Sequence, residues 1–179
     1  SWTNSINYRN SDGNNLENVY YDNVYTDVSK NYTRTRINDE DSENEDVEYK
    51  SSFQKKFKKE GHKLTADLQF SSNIDNSSAN IIDSENGTDN TINDQTRKRQ
   101  LYQTDYVLPI GKKGQFEAGY RGNFSNQLTD VIVYENGIIN TNYTNKLEYI
   151  EKVNAFYTQY GLKVNKFSYL LGLRWEGTN

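Results

Sequence analysis

The sequence predicts an all-β fold, an antiparallel meander in one sheet, on three observations. Apolar residues recur at every second position, the links between such stretches are alternately short and long, and charges populate the opposite face of the same strands. Residues 101–124, LYQTDYVLPIGKKGQFEAGYRGNF, hold the pattern most completely. Phe116, Ala118, Tyr120, Gly122 and Phe124 share one face and Glu117, Gly119, Arg121 and Asn123 the other, a period of two that marks a strand. Before them Tyr102, Thr104, Tyr106, Leu108 and Ile110 lie opposite Gln103, Asp105 and Val107, and Ile110-Gly-Lys-Lys-Gly114 supplies the reversal of a hairpin.

The other elements follow in chain order. Trp2, Asn4, Ile6 and Tyr8 alternate with Thr3, Ser5, Asn7 and Arg9 in an opening strand, which Asp12-Gly13-Asn14-Asn15 bends or ends. Residues 18–38 form a water-exposed hairpin, Val19-Tyr20-Tyr21 and residues 32–36 flanking a polar tip. The acidic run DEDSENED at 39–46 reads as a solvated loop. Tyr49, Ser51, Phe53, Lys55 and Phe57 make the next face, 58–61 a short turn, and Leu64, Ala66, Leu68 and Phe70 alternate with Thr65, Asp67, Gln69 and Ser71. Residues 73–96 hold no aromatic residue and read as a long polar loop, and 126–146 as another. Val153, Ala155 and Tyr157 mark the apolar side of a sixth strand. The turn at 162–166 then leads to Phe167, Tyr169, Leu171, Leu173 and Trp175, opposite Ser168, Gly172, Arg174 and Glu176.

Alternation alone does not say which face is wet, because a soluble barrel is apolar inside and a membrane barrel is apolar outside. The connections supply the sign. Links near 58–61, 110–114 and 162–166 are short, those near 10–47, 72–98 and 126–147 are long, and the two kinds alternate strictly. Tight turns at one end, long loops at the other and apolar faces ending in Tyr, Phe or Trp describe part of a transmembrane outer-membrane β-barrel, with periplasmic turns and extracellular loops. Lipid is then the partner of Leu64, Leu68, Phe70, Phe116, Tyr120, Phe124, Leu171 and Leu173, which should point away from the barrel axis and look exposed. Asp67, Gln69, Glu117, Arg121 and Arg174 should face an aqueous lumen, since a dry core would not accommodate their charges. The alternative is a soluble β-sandwich, such as an adhesin or carbohydrate-binding module, which also combines short strands with long loops.

Composition agrees with a sheet that needs one apolar face. Only 33% of the 179 residues are hydrophobic, against about 45–50% apolar in soluble domains when glycine is counted. A net charge of -4 without a dense basic patch excludes phosphate-backbone tracking, so no nucleic acid is expected. The absence of cysteine excludes disulfides and thiolate metal sites. A mean hydropathy of -1.03 would suggest a soluble chain, but membrane strands escape that measure. Ser1 opens the chain without a signal peptide, and one proline, Pro109, leaves the strands largely uninterrupted.

Little points to chemistry. His62, the single histidine, sits in a short turn and reads as structural. No nucleophile grouping and no phosphate loop is present, so neither an enzyme nor a cofactor is expected. Asp83-Ser-Glu-Asn-Gly-Thr-Asp89 has part of a calcium-loop spacing but lacks the distal glutamate, so no metal site is assigned.

At FKKEGHKLTADL, residues 57–68, and GLRWE, residues 172–176, the chain resembles the C-terminal barrel portion of TonB-dependent receptors, in the outer membrane β-barrel family common in Bacteroidota. The YVLPIGKKGQFEAGY hairpin fits the same family. The resemblance implies about 22 strands around a plug, nutrient uptake energised by TonB through that plug, a surface lipoprotein as a further partner, and residence in the bacterial outer membrane. No plug and no TonB box is found here. The roughly seven membrane strands, an odd number, read as one piece of a longer receptor, an open curved sheet whose first and last strands need neighbours. A passive or structural outer-membrane barrel is the other membrane reading.

Overall fold

Strand pairing runs far past the apolar stretches that announce it. The computed structural model describes Ser1–Asn179 as β1 (Trp2–Asn23), β2 (Tyr32–Lys56), β3 (Lys63–Asp83), β4 (Gly87–Ile110), β5 (Gly114–Glu135), β6 (Ile138–Ile139), β7 (Asn145–Val164) and β8 (Phe167–Thr178). All pairs are antiparallel, in the order β1-β2-β3-β4-β5-β7-β8, with the two-residue β6 beside the end of β5. The sheet is a meander with open edges at β1 and β8 and does not close on itself.

The seven alternating segments are all present, but four stretches read as loops or bends are strand. The acidic run 39–46 lies inside β2 and is paired on both sides, Glu45 standing opposite Asn10 of β1 and Ile74 of β3. Residues 73–96 are the outer halves of β3 and β4, reversed only at Ser84–Asn86, and β5 continues through 126–135. The chain also runs straight through Asp12–Asn15, where Gly13 pairs with Ser42. Residues 39–46 and Asp12–Asn15 show no apolar alternation because both of their faces are polar, 73–96 holds only scattered isoleucines, and in 126–135 the run Val131-Ile132-Val133-Tyr134 is apolar on both faces; the backbone ladder keeps these segments extended. The hairpin expected over 18–38 forms as the far end of β1 and β2, with Tyr20 opposite Thr35. Its tip is a single 3-10 turn, Val28–Lys30, where the Asp27 carboxylate accepts from the Ser29 amide at 3.2 Å.

No second layer covers the sheet. Five residues of 179 are buried, Val107 and Ala155 being the apolar side chains among them. Stabilisation therefore comes from 118 backbone hydrogen bonds within the strands and from side-chain contacts along each face. At β2, 25 residues long, a rise of about 3.3 Å per residue gives a strand of roughly 80 Å. That is far more than the roughly 9–11 residues needed to cross a bilayer.

Two ties organise the long ends. Asn136-Gly137, with φ of 50° and 79°, makes the two-residue reversal from β5 to β6, the Asn-Gly signature of a primed hairpin turn. The Asn136 side-chain oxygen accepts from the Thr88 amide at 3.0 Å, beside Gly87 at φ 90°, so a Cβ at Gly87 would collide with Asn136. At the β3–β4 tip, Asp83 accepts from Arg34 Nε at 2.9 Å and from the Glu85 and Asn86 amides at 2.9 and 3.3 Å. Arg34 also lies over the Tyr21 ring at 5.5 Å, joining the two hairpin tips.

The Arg34 guanidinium, helped by the turn amides, holds the Asp83 carboxyl well below its ordinary range. A lowered folded-state pKa stabilises above the unfolded value and loses its contribution only as pH falls through the lowered one. Amide exchange at Glu85 and Asn86 should therefore be as protected at pH 5 as at pH 7, and Asp83→Asn should remove that protection at both. Hydrogen–deuterium exchange on the complete protein checks both outcomes.

Candidate functional site

The register sorts side chains into two unlike faces, because directly opposed residues of an antiparallel pair point the same way. One face carries, across all seven long strands, Trp2, Phe53, Ala66, Thr104, Tyr120, Phe156 and Trp175. Leu64, Tyr106 and Ala118 continue it on one side of this row, and Ile6, Tyr49, Phe70 and Phe124 on the other. The eight residues assigned to lipid all fall on this face. Leu171 and Leu173 are 76% and 75% exposed, whereas Leu64, Phe116, Tyr120 and Phe124 are half-buried. The expectation that all eight look exposed thus fails for those four, which lie on inner strands with same-face neighbours on both sides, Tyr102 beside Phe124 and Phe156 beside Tyr120.

Those rings form a diagonal stripe. Tyr49 to Phe70, Phe70 to Tyr102 and Tyr102 to Phe124 have centroid distances of 6.4, 5.8 and 5.8 Å. Tyr120 to Phe156 and Phe156 to Trp175 follow at 4.9 and 5.9 Å. Gly122 joins the two halves: Tyr120 and Phe124 fold over it, leaving no room for a Cβ. Each such pair adds about 0.5–1.5 kcal/mol beyond its buried area. Beyond the stripe this face changes abruptly, Val47 on β2 being followed at the same-face positions by Glu45, Glu43, Asp41 and Asp39.

The opposite face is charged and hydrogen-bonded. Glu48 accepts from Gln69 at 2.7 Å and pairs with Lys50 at 2.7 Å, and Gln103 donates to Asp105 at 2.9 Å. Glu117 accepts from Gln159 at 2.5 Å and from Gln115, and Arg174 donates to Glu176 at 2.7 Å. All five residues assigned to the lumen lie here. Asp67, Gln103 and Arg121 stand in one row, Gln103 separating the two charges. Lys63, Thr65, Asp105, Gln115, Glu117 and Tyr157 line a recess of about 480 Å³ near the short turns.

Two features of this face escape the sequence reading. Val153, Ala155 and Tyr157 belong to the charged face, Ala155 opposite Arg121, while Phe156 and Tyr160 carry the apolar face through β7. The phase slips by one because both registers of AFYTQY hold aromatic residues, so alternation alone leaves the choice open. Tyr157 also packs its ring over Gly119, where a Cβ would overlap it. His62 is stacked on Phe57 at 3.9 Å with its Nε2 2.9 Å from the Tyr106 hydroxyl. Asp83, the first residue of the calcium-like run, is engaged by Arg34 and two amides.

A two-faced single-layer sheet with an apolar band and a charged reverse is the wall of a barrel. The family model for the outer membrane protein beta-barrel family matches residues 55–179. The chain belongs to that family. This outer-membrane barrel protein is also similar in fold to two structures of the RagAB peptide importer, in its closed-closed and open-open states, with TM-scores of 0.52 and 0.51. In each case identity is 12%, and the match covers 80% of this chain but 18% of the importer chain. No curated protein sequence matches it. The family places the protein in the outer membrane and fixes the all-β, barrel-type class; the soluble sandwich is set aside, since it would need a second sheet.

The Tyr157–Gly119 contact can be measured. Gly119→Ala should destabilise the complete barrel by about 1–3 kcal/mol through displacement of the ring, and should cost almost nothing once Tyr157 is alanine. Reversible unfolding of the four members of this double-mutant cycle gives the coupling.

Proposed function

We infer that the chain forms wall and extracellular strands of a TonB-dependent receptor that imports a nutrient across the outer membrane of a Bacteroidota-type bacterium. The observation that carries the reading is the opposition of an apolar band to a charged face across one sheet whose two edges need further strands. Lipid covers Leu64, Leu68, Phe70, Phe116, Tyr120, Phe124, Leu171 and Leu173. Asp67, Gln69, Glu117, Arg121 and Arg174 border the aqueous path, where Gln and carboxylate groups already paired along the wall offer hydrogen bonds to a hydrated solute.

The fold likeness to a peptide importer supports a role in import over a purely structural barrel. On this reading the remaining strands and a plug complete the receptor, TonB acts through the plug, and a surface lipoprotein meets the long extracellular strands. No catalysis is assigned: the polar groups of the wall are tied to one another along neighbouring strands, as suits permeation.

Two measurements test this. Cells expressing the full gene should lose uptake when TonB is deleted, and uptake that persists would make the barrel passive. Leu171→Arg should destabilise the complete barrel in lipid vesicles by about 2–4 kcal/mol, whereas Gln69→Ala should shift substrate selectivity with little loss of stability. Equal costs at the two positions would reverse or abolish the assignment of faces.

A further inference from the structure

The two ends of the sheet differ in charge as sharply as its two faces differ in polarity. Of 14 lysines in the chain, nine fall in residues 55–63, 112–113 and 163–166, at or next to the three short turns, and Glu60 is the sole acid among them. The turns are joined in space. Lys163 donates its amide to the Lys113 carbonyl at 2.9 Å, and the Lys59 ammonium donates to the Pro109 carbonyl at 2.6 Å. Lys59, Lys112, Lys113 and Lys163 thereby line one open cradle of about 540 Å³, in which Glu60 is the single acid and Pro109 the single apolar side chain.

We propose that this lysine rim binds the phosphate groups of anionic phospholipids in the periplasmic leaflet and so anchors the short-turn end of the barrel at the headgroup level. The rim is not confined to the charged face. Lys55 stands on the apolar face opposite Leu64, its ammonium 5.2 Å from the Phe57 ring. His62 stacks on Phe57 and meets the Tyr106 ring edge-on beside it, and the exposed Tyr160 and Tyr169 lie at the same end. Aromatic rings next to lysines mark a membrane interface, where the stem lies along apolar surface and the ammonium reaches the headgroups. A protein segment inside the barrel would need positive charge on the lumen side alone. Charge on both sides, flanked by aromatic rings, fits a ring of lipid phosphates, to which each nearby lysine adds attraction.

The proposal rests on the orientation that puts short turns in the periplasm, and the two can fail separately. The full-length protein should be exchanged into mixed phosphatidylglycerol–phosphatidylcholine nanodiscs, and its retained lipid read by native mass spectrometry. The wild type should retain phosphatidylglycerol in preference by about tenfold or more. Replacing Lys58, Lys59, Lys112 and Lys113 by Gln should reduce that preference to near unity without changing the barrel's heat-modifiable mobility, while Lys30→Gln at the opposite end should leave it intact. A wild type without preference, or a quadruple variant that keeps it, overturns the proposal. So does a preference that disappears when an upstream plug is deleted, which would assign the rim to an acidic internal segment. Labelling of Lys112→Cys by an impermeant maleimide on intact cells would instead refute the orientation, whatever the lipid result.

Discussion

Every part of this sheet depends on complete backbone pairing without a core. In a soluble domain burial of side chains offsets the entropy of ordering the chain, and hydrogen bonds add a modest net term. Here only five residues are buried, while 118 backbone bonds run between strands. In hydrocarbon an unpaired amide or carbonyl costs several kcal/mol, so the ladder becomes the condition for crossing at all. The open edges at β1 and β8 are therefore its most consequential feature. A strand edge that is free in lipid must find a partner.

With pairing taken care of by the backbone, side chains are free to serve two solvents. The apolar face holds its rings in a stripe that follows the sheet diagonally, and Gly122 lets Tyr120 and Phe124 close over the ladder where a methyl group would hold them off. On the reverse, Gly119 and Tyr157 use the same device. The polar side chains there are joined into short chains such as Gln69–Glu48–Lys50, which satisfy each other without sealing the surface from water. A smooth greasy side and a polar side rich in donors and acceptors suit a boundary between lipid and an aqueous path.

The long halves of the strands obey a different rule. Above the aromatic stripe residues 39–46 of β2 are polar on both faces and acidic at the successive same-face positions 45, 43, 41 and 39. What orders these segments is the continued ladder and a few ties at the tips, above all Arg34 with Asp83 and Asn136 with Thr88. Those ties fix the heights at which neighbouring hairpins end. They make the far end of the sheet an extension of the wall in place of a set of separate loops.

The sequence by itself determined the period-two segments, their order, and the opposition of Phe70, Tyr120 and Leu171 to Asp67, Arg121 and Arg174. Those follow from residue types, since alternation of apolar and polar groups has one backbone solution. The alternation of short and long links, with charges on the polar face, pointed to a membrane barrel for the same reason. Tertiary structure alone decided how far the strands continue, because residues such as 39–46 and 73–83 have no apolar face to reveal a period; the Asn86-Gly87 and Asn136-Gly137 pairs were the local signals of the reversals. It also decided the phase of β7, where the ring of Phe156 beside Tyr120 selects one of two aromatic registers. The gathering of lysines from three separate turns into one rim was equally beyond local reading, because it depends on the register that makes neighbouring strands end side by side.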